Sequence, residues 1–228
     1  MKIHFLLITA ALLSGQVAFS QKNKLPLIIT PPVGQTDGPL VIFLSGDGGW
    51  HFFCQPFSDK LASTGLPVIG WNCKKYFWET VQPEKAAADF SKVLEEYMNK
   101  WNRHSAVLIG LSFGGDVMPF IYNHLPDDVK QKIKLVVLLS PSKTTDFEVH
   151  YADMIGIGGD KYPHNVIEAV GKIGSTPVLC VYGDQETSVF PAGFGQANVQ
   201  FGVVKGTHYY TDIEGVSHLV WKQLSRLD

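Results

Sequence analysis

Ser105-Ala106-Val107-Leu108-Ile109-Gly110-Leu111-Ser112-Phe113-Gly114-Gly115-Asp116 is the stretch on which the reading of this chain turns. Its apolar first half predicts a buried strand over residues 105–111, and the residues after Ser112 predict a helix to about His124. Gly110-Leu111-Ser112-Phe113-Gly114 therefore sits on a sharp strand-to-helix turn. Such a turn crowds its neighbours, so small residues are needed two places before and two places after the serine. The N–H groups at the start of the helix point at the tip and favour negative charge there. The same five residues in a plain glycine-rich turn carry no chemistry. In this context Ser112 is a candidate nucleophile.

Outward from this turn the chain alternates strand and helix signals. Apolar runs bounded by turn residues predict strands at 25–30, 40–44, 67–73, 135–139, 177–182 and 199–204. Helices are expected at 52–62, 83–101, 165–173 and 212–224, with residues 142–163 irregular. This order implies an α/β fold: a mainly parallel sheet covered by helices on both faces, with its ligand site beyond the carboxyl ends of the strands. With 228 residues, 45% hydrophobic and 18% charged, the chain is sized for one such domain. A formal charge of −2 without a basic block argues against a nucleic-acid partner.

The first twenty residues read differently. Met1 and Lys2 precede an apolar run from Phe5 to Leu13, and Ala18-Phe19-Ser20 supplies small residues for a cut before Gln21. Residues 1–20 are therefore expected to be a secretory signal peptide and 21–228 a single domain, periplasmic or secreted and not membrane-spanning. Ser14, Gly15 and Gln16 break the run well short of the length that crosses a bilayer. In an oxidising compartment Cys54 and Cys73 either pair or stay free, and Cys180, inside a strand, is expected to be buried and inert.

A serine hydroxyl needs a base, and the base needs an orienting acid. His208 follows the last strand and is the candidate base; His51, His104, His124, His150, His164 and His218 read as surface or packing residues. Gly183-Asp184-Gln185-Glu186, after the strand ending at Tyr182, offers two acids. The Gly-x-x-acid spacing favours Glu186, with Asp184 capping the turn, and Asp184 stays the alternative. Oxyanion stabilisation needs two backbone donors: Phe113 N–H, directly after the serine, and Asp47 N–H in Ser45-Gly46-Asp47-Gly48-Gly49. Asp47 also reads as a helix N-cap. Trp50, Phe52, Phe53, Tyr76, Phe77 and Trp78 are expected in the core or the pocket wall. Gly156-Ile157-Gly158-Gly159-Asp160 follows no buried strand and reads as a loop or lid. With no phosphate-binding or metal-ligating motif, neither cofactor nor metal is expected.

These segments together resemble the α/β-hydrolase superfamily and, within it, the bacterial virulence protein VirJ family, to which the AcvB proteins belong. The likeness rests on Leu44 to Trp50, on Tyr76-Phe77-Trp78 with Pro83, and on Ser112 to Asp116 with Met118-Pro119-Phe120. It continues through Phe147-Glu148-Val149-His150, Tyr182-Gly183 with Glu186, and Gly206-Thr207-His208. Gly115 and Tyr209 depart from the family pattern, where alanine and a second histidine are expected. The resemblance implies an exported serine hydrolase with a minimal lid, acting on an ester. It implies, from the AcvB-like proteins, the aminoacyl ester of lysyl-phosphatidylglycerol at a membrane surface. Asp47 and Asp116, both near Ser112 in the expected fold, are carboxylates able to hold such an ammonium group; the helix dipole alone also explains them. The alternative expectation is a periplasmic binding or assembly factor for virulence or secretion that keeps the scaffold with a vestigial triad.

Overall fold

The computed structural model describes residues 24–34, 36–150, 162–186 and 194–227. The expected leader and the 156–160 glycine cluster lie outside these residues. Nine strands are described: β1 Leu27–Thr30, β2 Leu40–Leu44, β3 Val68–Trp71, β4 Ala106–Leu111, β5 Ile133–Leu139, β6 Thr144–Thr145, β7 His164–Asn165, β8 Val178–Gly183 and β9 Val199–Val204. The helices are α1 Cys54–Ser63, α2 Cys73–Tyr76, α3 Pro83–Trp101, α4 Phe113–Asn123, α5 Asp127–Lys130, α6 Val166–Gly171 and α7 Ile213–Leu224.

Seven strands form the main sheet in the order β1-β3-β2-β4-β5-β8-β9. Only β1, at one edge, runs antiparallel to its neighbour. The apolar runs fall at the centre because a strand with helices above and below has no face for water: every residue of β2, β3 and β8 is buried. Alternate side chains separate two cores. Leu40, Ile42 and Leu44 of β2 share one core with Phe90 and Leu94 of α3, Val117 and Ile121 of α4, and Val166 and Val170 of α6. Val41 and Phe43 share the other with Phe57 and Leu61 of α1 and with Val216 and Val220 of α7. The strand that leads to Ser112 is thereby clamped in the middle of the molecule.

Most expected elements appear within a few residues of their bounds, and α3 starts with Pro83 in its first turn. The differences have local causes. The expected 67–73 strand stops at Trp71 because Asn72 caps α2, its side chain accepting the Lys75 N–H. The expected 52–62 helix begins at Cys54, since Phe52 holds φ +29 and cannot join a right-handed helix. The start of the expected irregular segment, β6, pairs with β7 just past its end in a two-stranded ribbon, Thr144 with Asn165 and Thr145 with His164, and the expected 165–173 helix begins at Val166.

Candidate active site

Ser112 lies between β4 and α4 with φ +51 and ψ −123, a conformation rare outside glycine. Two backbone bonds hold it there: Ser112 N–H donates to Leu139 O of β5 at 2.8 Å, and Asp116 N–H donates to Ser112 O at 2.9 Å. The flanking glycines are required for separate reasons. A Cβ on Gly110 would lie 2.3 Å from Gly114 O, within the turn, whereas one on Gly114 would lie 2.5 Å from Ser45 O, in the neighbouring loop. The departure at Gly115 is less demanding, its missing Cβ falling 3.1 Å from Gly110 O.

The histidine and the acid arrive from the far end of the sheet. His208 Nε2 stands 2.8 Å from Ser112 Oγ, and His208 Nδ1 stands 3.4 Å from Glu186 Oε2. These partners assign the ring proton to Nδ1 and leave Nε2 to accept the serine hydroxyl. The inner oxygen of Glu186 accepts two short bonds, from Gly183 N–H and from Ser140 Oγ, each 2.6 Å. Burial alone would push the Glu186 carboxyl up; the bonds from His208, Ser140 and Gly183 outweigh it and hold the group below its ordinary range. His208 is pulled above its ordinary value by its bond to Glu186, against the opposing effect of burial. Asp184 does not pair with this histidine. Its Oδ1 accepts Gly206 N–H at 2.9 Å, and with Gln185 N–H donating to Gly206 O it ties the acid turn to the histidine loop. The strand end and that loop are so close that a Cβ on Gly183 would meet Gly206 O at 2.4 Å.

On the other side of Ser112 the loop after β2 passes directly against it: a Cβ on Gly46 would sit 3.5 Å from Ser112 Cβ. Fully buried Ser45 anchors this loop, its Oγ accepting Cys73 N–H at 3.0 Å. Gly49, at φ +93, closes a tight turn by donating its N–H to Gly46 O at 3.0 Å. Asp47 is not the N-cap that its position suggested. Phe53 occupies the cap of α1 without any side-chain bond, and Asp47 Oδ1 accepts the N–H of its neighbour Gly48 at 2.8 Å. Among the described residues neither the Asp47 nor the Phe113 N–H has an intramolecular acceptor. Cys54, Cys73 and Cys180 are all free and buried, and burial raises each thiol.

Both sides open into one cleft of about 1440 Å³. Asp47, Phe52 and Lys74 line it from the glycine loop and its neighbours, and Asp116, Asp146 and His150 also line it. Asp116 Oδ1 accepts the Ser142 N–H at 2.5 Å. Its burial pushes the carboxyl up to about 7, more than the Ser142 bonds and His208 pull it down. Asp146 Oδ2 pairs with His150 Nε2 at 2.5 Å, and the His150 ring stacks on Tyr162 at 5.4 Å.

The sequence matches the family described as bacterial virulence protein (VirJ) over residues 38–227. The chain belongs to the VirJ family. No curated protein matches it in sequence. Among solved structures, Est1E from Butyrivibrio proteoclasticus with ferulic acid bound is similar to this VirJ-family chain at TM-score 0.62 and 18% identity, over 88% of this chain and 96% of Est1E. The thioesterase domain from the curacin biosynthetic pathway is similar at TM-score 0.58 and 14% identity, over 89% of this chain and all of that domain. Esterase Pf2001 of Pyrococcus furiosus is similar at TM-score 0.58 and 17% identity, over 82% of this chain and 80% of that esterase. At these identities the likeness establishes the α/β-hydrolase fold.

For this VirJ-family protein several residues outside the expected site also face the cleft. His51 and His150, read as surface or packing residues, line the cleft. The available signal was their position in segments that follow strand ends, with Asp146 four residues before His150. Phe53 and Phe77 are buried and Phe52, 91% exposed, lines the cleft, all as expected, but Trp78 is exposed outside it. Ser140, which bonds Glu186, and Tyr210, which bonds Ser140, were invisible because nothing in their local sequence marks them.

Proposed function

We propose that this VirJ-family chain is an exported serine hydrolase that cleaves an ester. The observation that carries the reading is the 2.8 Å contact between His208 Nε2 and Ser112 Oγ, on a serine held in a strained turn and lining a cleft. Ser112 Oγ attacks the ester carbonyl carbon while its proton passes to His208 Nε2. The developing oxyanion takes hydrogen bonds from the Phe113 and Asp47 N–H groups. Glu186 holds the imidazole in the tautomer that accepts this proton and stabilises the imidazolium. Collapse of the tetrahedral species expels the alcohol, which takes the proton back from His208. Water, deprotonated by the same imidazole, then hydrolyses the acyl-enzyme.

The finer reading is that the ester is the aminoacyl ester of lysyl-phosphatidylglycerol, hydrolysed at a membrane surface. The family resemblance motivates it. The carboxyl groups of Asp47, Asp116 and Asp146 line the cleft where a lysyl ammonium group would sit, Asp116 being the one that burial pushes up to about 7. Export through a leader cut after Ser20 belongs to the same reading. No described helix is long and apolar enough to cross a membrane.

A fluorophosphonate probe is expected to label the purified protein at Ser112. Ser112→Ala is expected to keep its thermal melt while losing both the label and the hydrolysis of p-nitrophenyl acetate; unchanged turnover in that variant would refute the mechanism. Lysine release from lysyl-phosphatidylglycerol vesicles tests the substrate, and a mature N-terminus at Gln21 tests export.

A further inference from the structure

Glu186 touches His208 at 3.4 Å, long for an N–H···O bond, so this contact by itself holds the carboxylate loosely. The other oxygen is held far more tightly. We propose that Ser140 and Tyr210 are positioning residues for Glu186: the buried Ser140 hydroxyl grips the inner carboxylate oxygen, the buried Tyr210 hydroxyl holds Ser140 Oγ in turn, and the outer oxygen is thereby kept against His208. This rests on the reading of Ser112, His208 and Glu186 as the catalytic set.

Proton accounting fixes the direction of the chain of bonds. The Glu186 carboxylate and the Val181 carbonyl only accept, so Ser140 Oγ donates to Glu186 Oε1 at 2.6 Å. Tyr210 OH, 2.7 Å from both Val181 O and Ser140 Oγ, then shares its proton between them. Burial pushes the Tyr210 phenol up, which keeps it a neutral donor. Ser140 N–H also donates to Val181 O, at 2.8 Å. The end of β5, strand β8 and the loop two residues past His208 thus meet at one carbonyl. The backbone of Ser140 sharpens the point. It sits at φ +51, where glycine is at ease and serine is not, and it is almost fully buried. A strained backbone around a buried hydroxyl that bonds to a buried carboxylate indicates that the hydroxyl is the reason for the residue.

Two variants remove the hydroxyls with little else changed. Ser140→Gly suits the backbone angle, and Tyr210→Phe keeps the ring that packs on Phe53 at 5.4 Å. In each, the NMR titration of the His208 ring proton, assigned by its loss in His208→Gln, is expected to move to lower pH by roughly half a unit. The cause is that a carboxylate released from Ser140 swings away from His208. On p-nitrophenyl acetate kcat is expected to fall roughly tenfold with KM within about twofold. An unmoved or raised His208 midpoint overturns the proposal, even where kcat falls, because that pattern marks loss of general packing. The titration needs no turnover. Ser112→Ala with full activity would therefore sink the catalytic reading while the His208 midpoint still decides the clamp. If Ser140→Gly fails to fold, Tyr210→Phe alone carries both readouts.

Discussion

Ser112 is bounded by two loops in which side-chain hydrogen bonds and close backbone contact carry different weight. The acid–histidine side is tied by hydrogen bonds: Asp184 to Gly206, Gln185 to Gly206, Glu186 to Gly183 and Ser140, Tyr210 to Val181. The glycine side is shaped by contact: missing side chains at Gly46 and Gly49 let the backbone run against Ser112 and Lys74, and Gly114 opens room for Ser45 O. The difference matches what each side does in the proposed mechanism. A proton carrier needs fixed orientation, which directed bonds supply. A pair of N–H donors needs close approach, which only absent atoms allow.

The largest effect should come from the bonded side. His208→Ala is expected to cost about 10⁴-fold or more in kcat while leaving the thermal melt intact. Asp184→Asn should cost only a few-fold, since Asp184 ties loops together and does not touch the base. Equal losses in steady-state assays of the two variants would break the assignment of Glu186 as the orienting acid.

On the contact side the expected damage is to folding. Gly114→Ala puts a Cβ 2.5 Å from a backbone oxygen and should destabilise by about 2–3 kcal/mol, lowering the melting temperature by several degrees. Gly46→Ala, with 3.5 Å to Ser112 Cβ, should change stability by only about 0.5 kcal/mol. Comparable melts for the two variants would contradict the steric account.

A subtler test lies in pH. Asp116 raises His208 through space, and its own carboxyl titrates at about 7 in the fold against an ordinary 3.8. Because the base must be neutral, Asp116→Asn should shift the acid limb of kcat/KM to lower pH. Stability should change in a defined direction as well. A carboxyl whose folded value is raised favours the fold below pH 3.8 and loses that contribution as pH climbs to about 7. The asparagine variant should therefore gain on the wild type across that window in urea denaturation; a constant difference would show that Asp116 does not titrate there.

A further modest effect concerns Phe52, strained at φ +29 and 91% exposed. Phe52→Asn should stabilise by about 1 kcal/mol, because asparagine tolerates positive φ, and a calorimetric scan should show a rise of about 2–4 °C. No rise would indicate that the Phe52 ring contributes packing that outweighs its backbone strain.

Much of this was readable from residue order. Strands at the sheet centre announce themselves because a segment covered on both faces must be apolar throughout, as 40–44 and 135–139 are. The serine turn is equally local: strand, small residue, serine, small residue and helix occupy neighbouring positions. His208 could be picked out by its place after the last strand. Short elements such as α5 and the β6–β7 ribbon were not legible, since two to four residues give no periodicity.

By itself the sequence determined the α/β class, the strand-to-helix turn at Ser112 and the short list of partners, because burial and turn sterics act between neighbours along the chain. Tertiary structure alone decided that Glu186 and not Asp184 meets His208, that His51 and His150 line the cleft, and that Ser140 bonds the acid while Tyr210 bonds Ser140. The contacts of His208 with Glu186 and with Ser112 join residues 22 and 96 positions apart along the chain. Where such side chains meet is set by strand register and loop path, and no local pattern of polar and apolar residues encodes either.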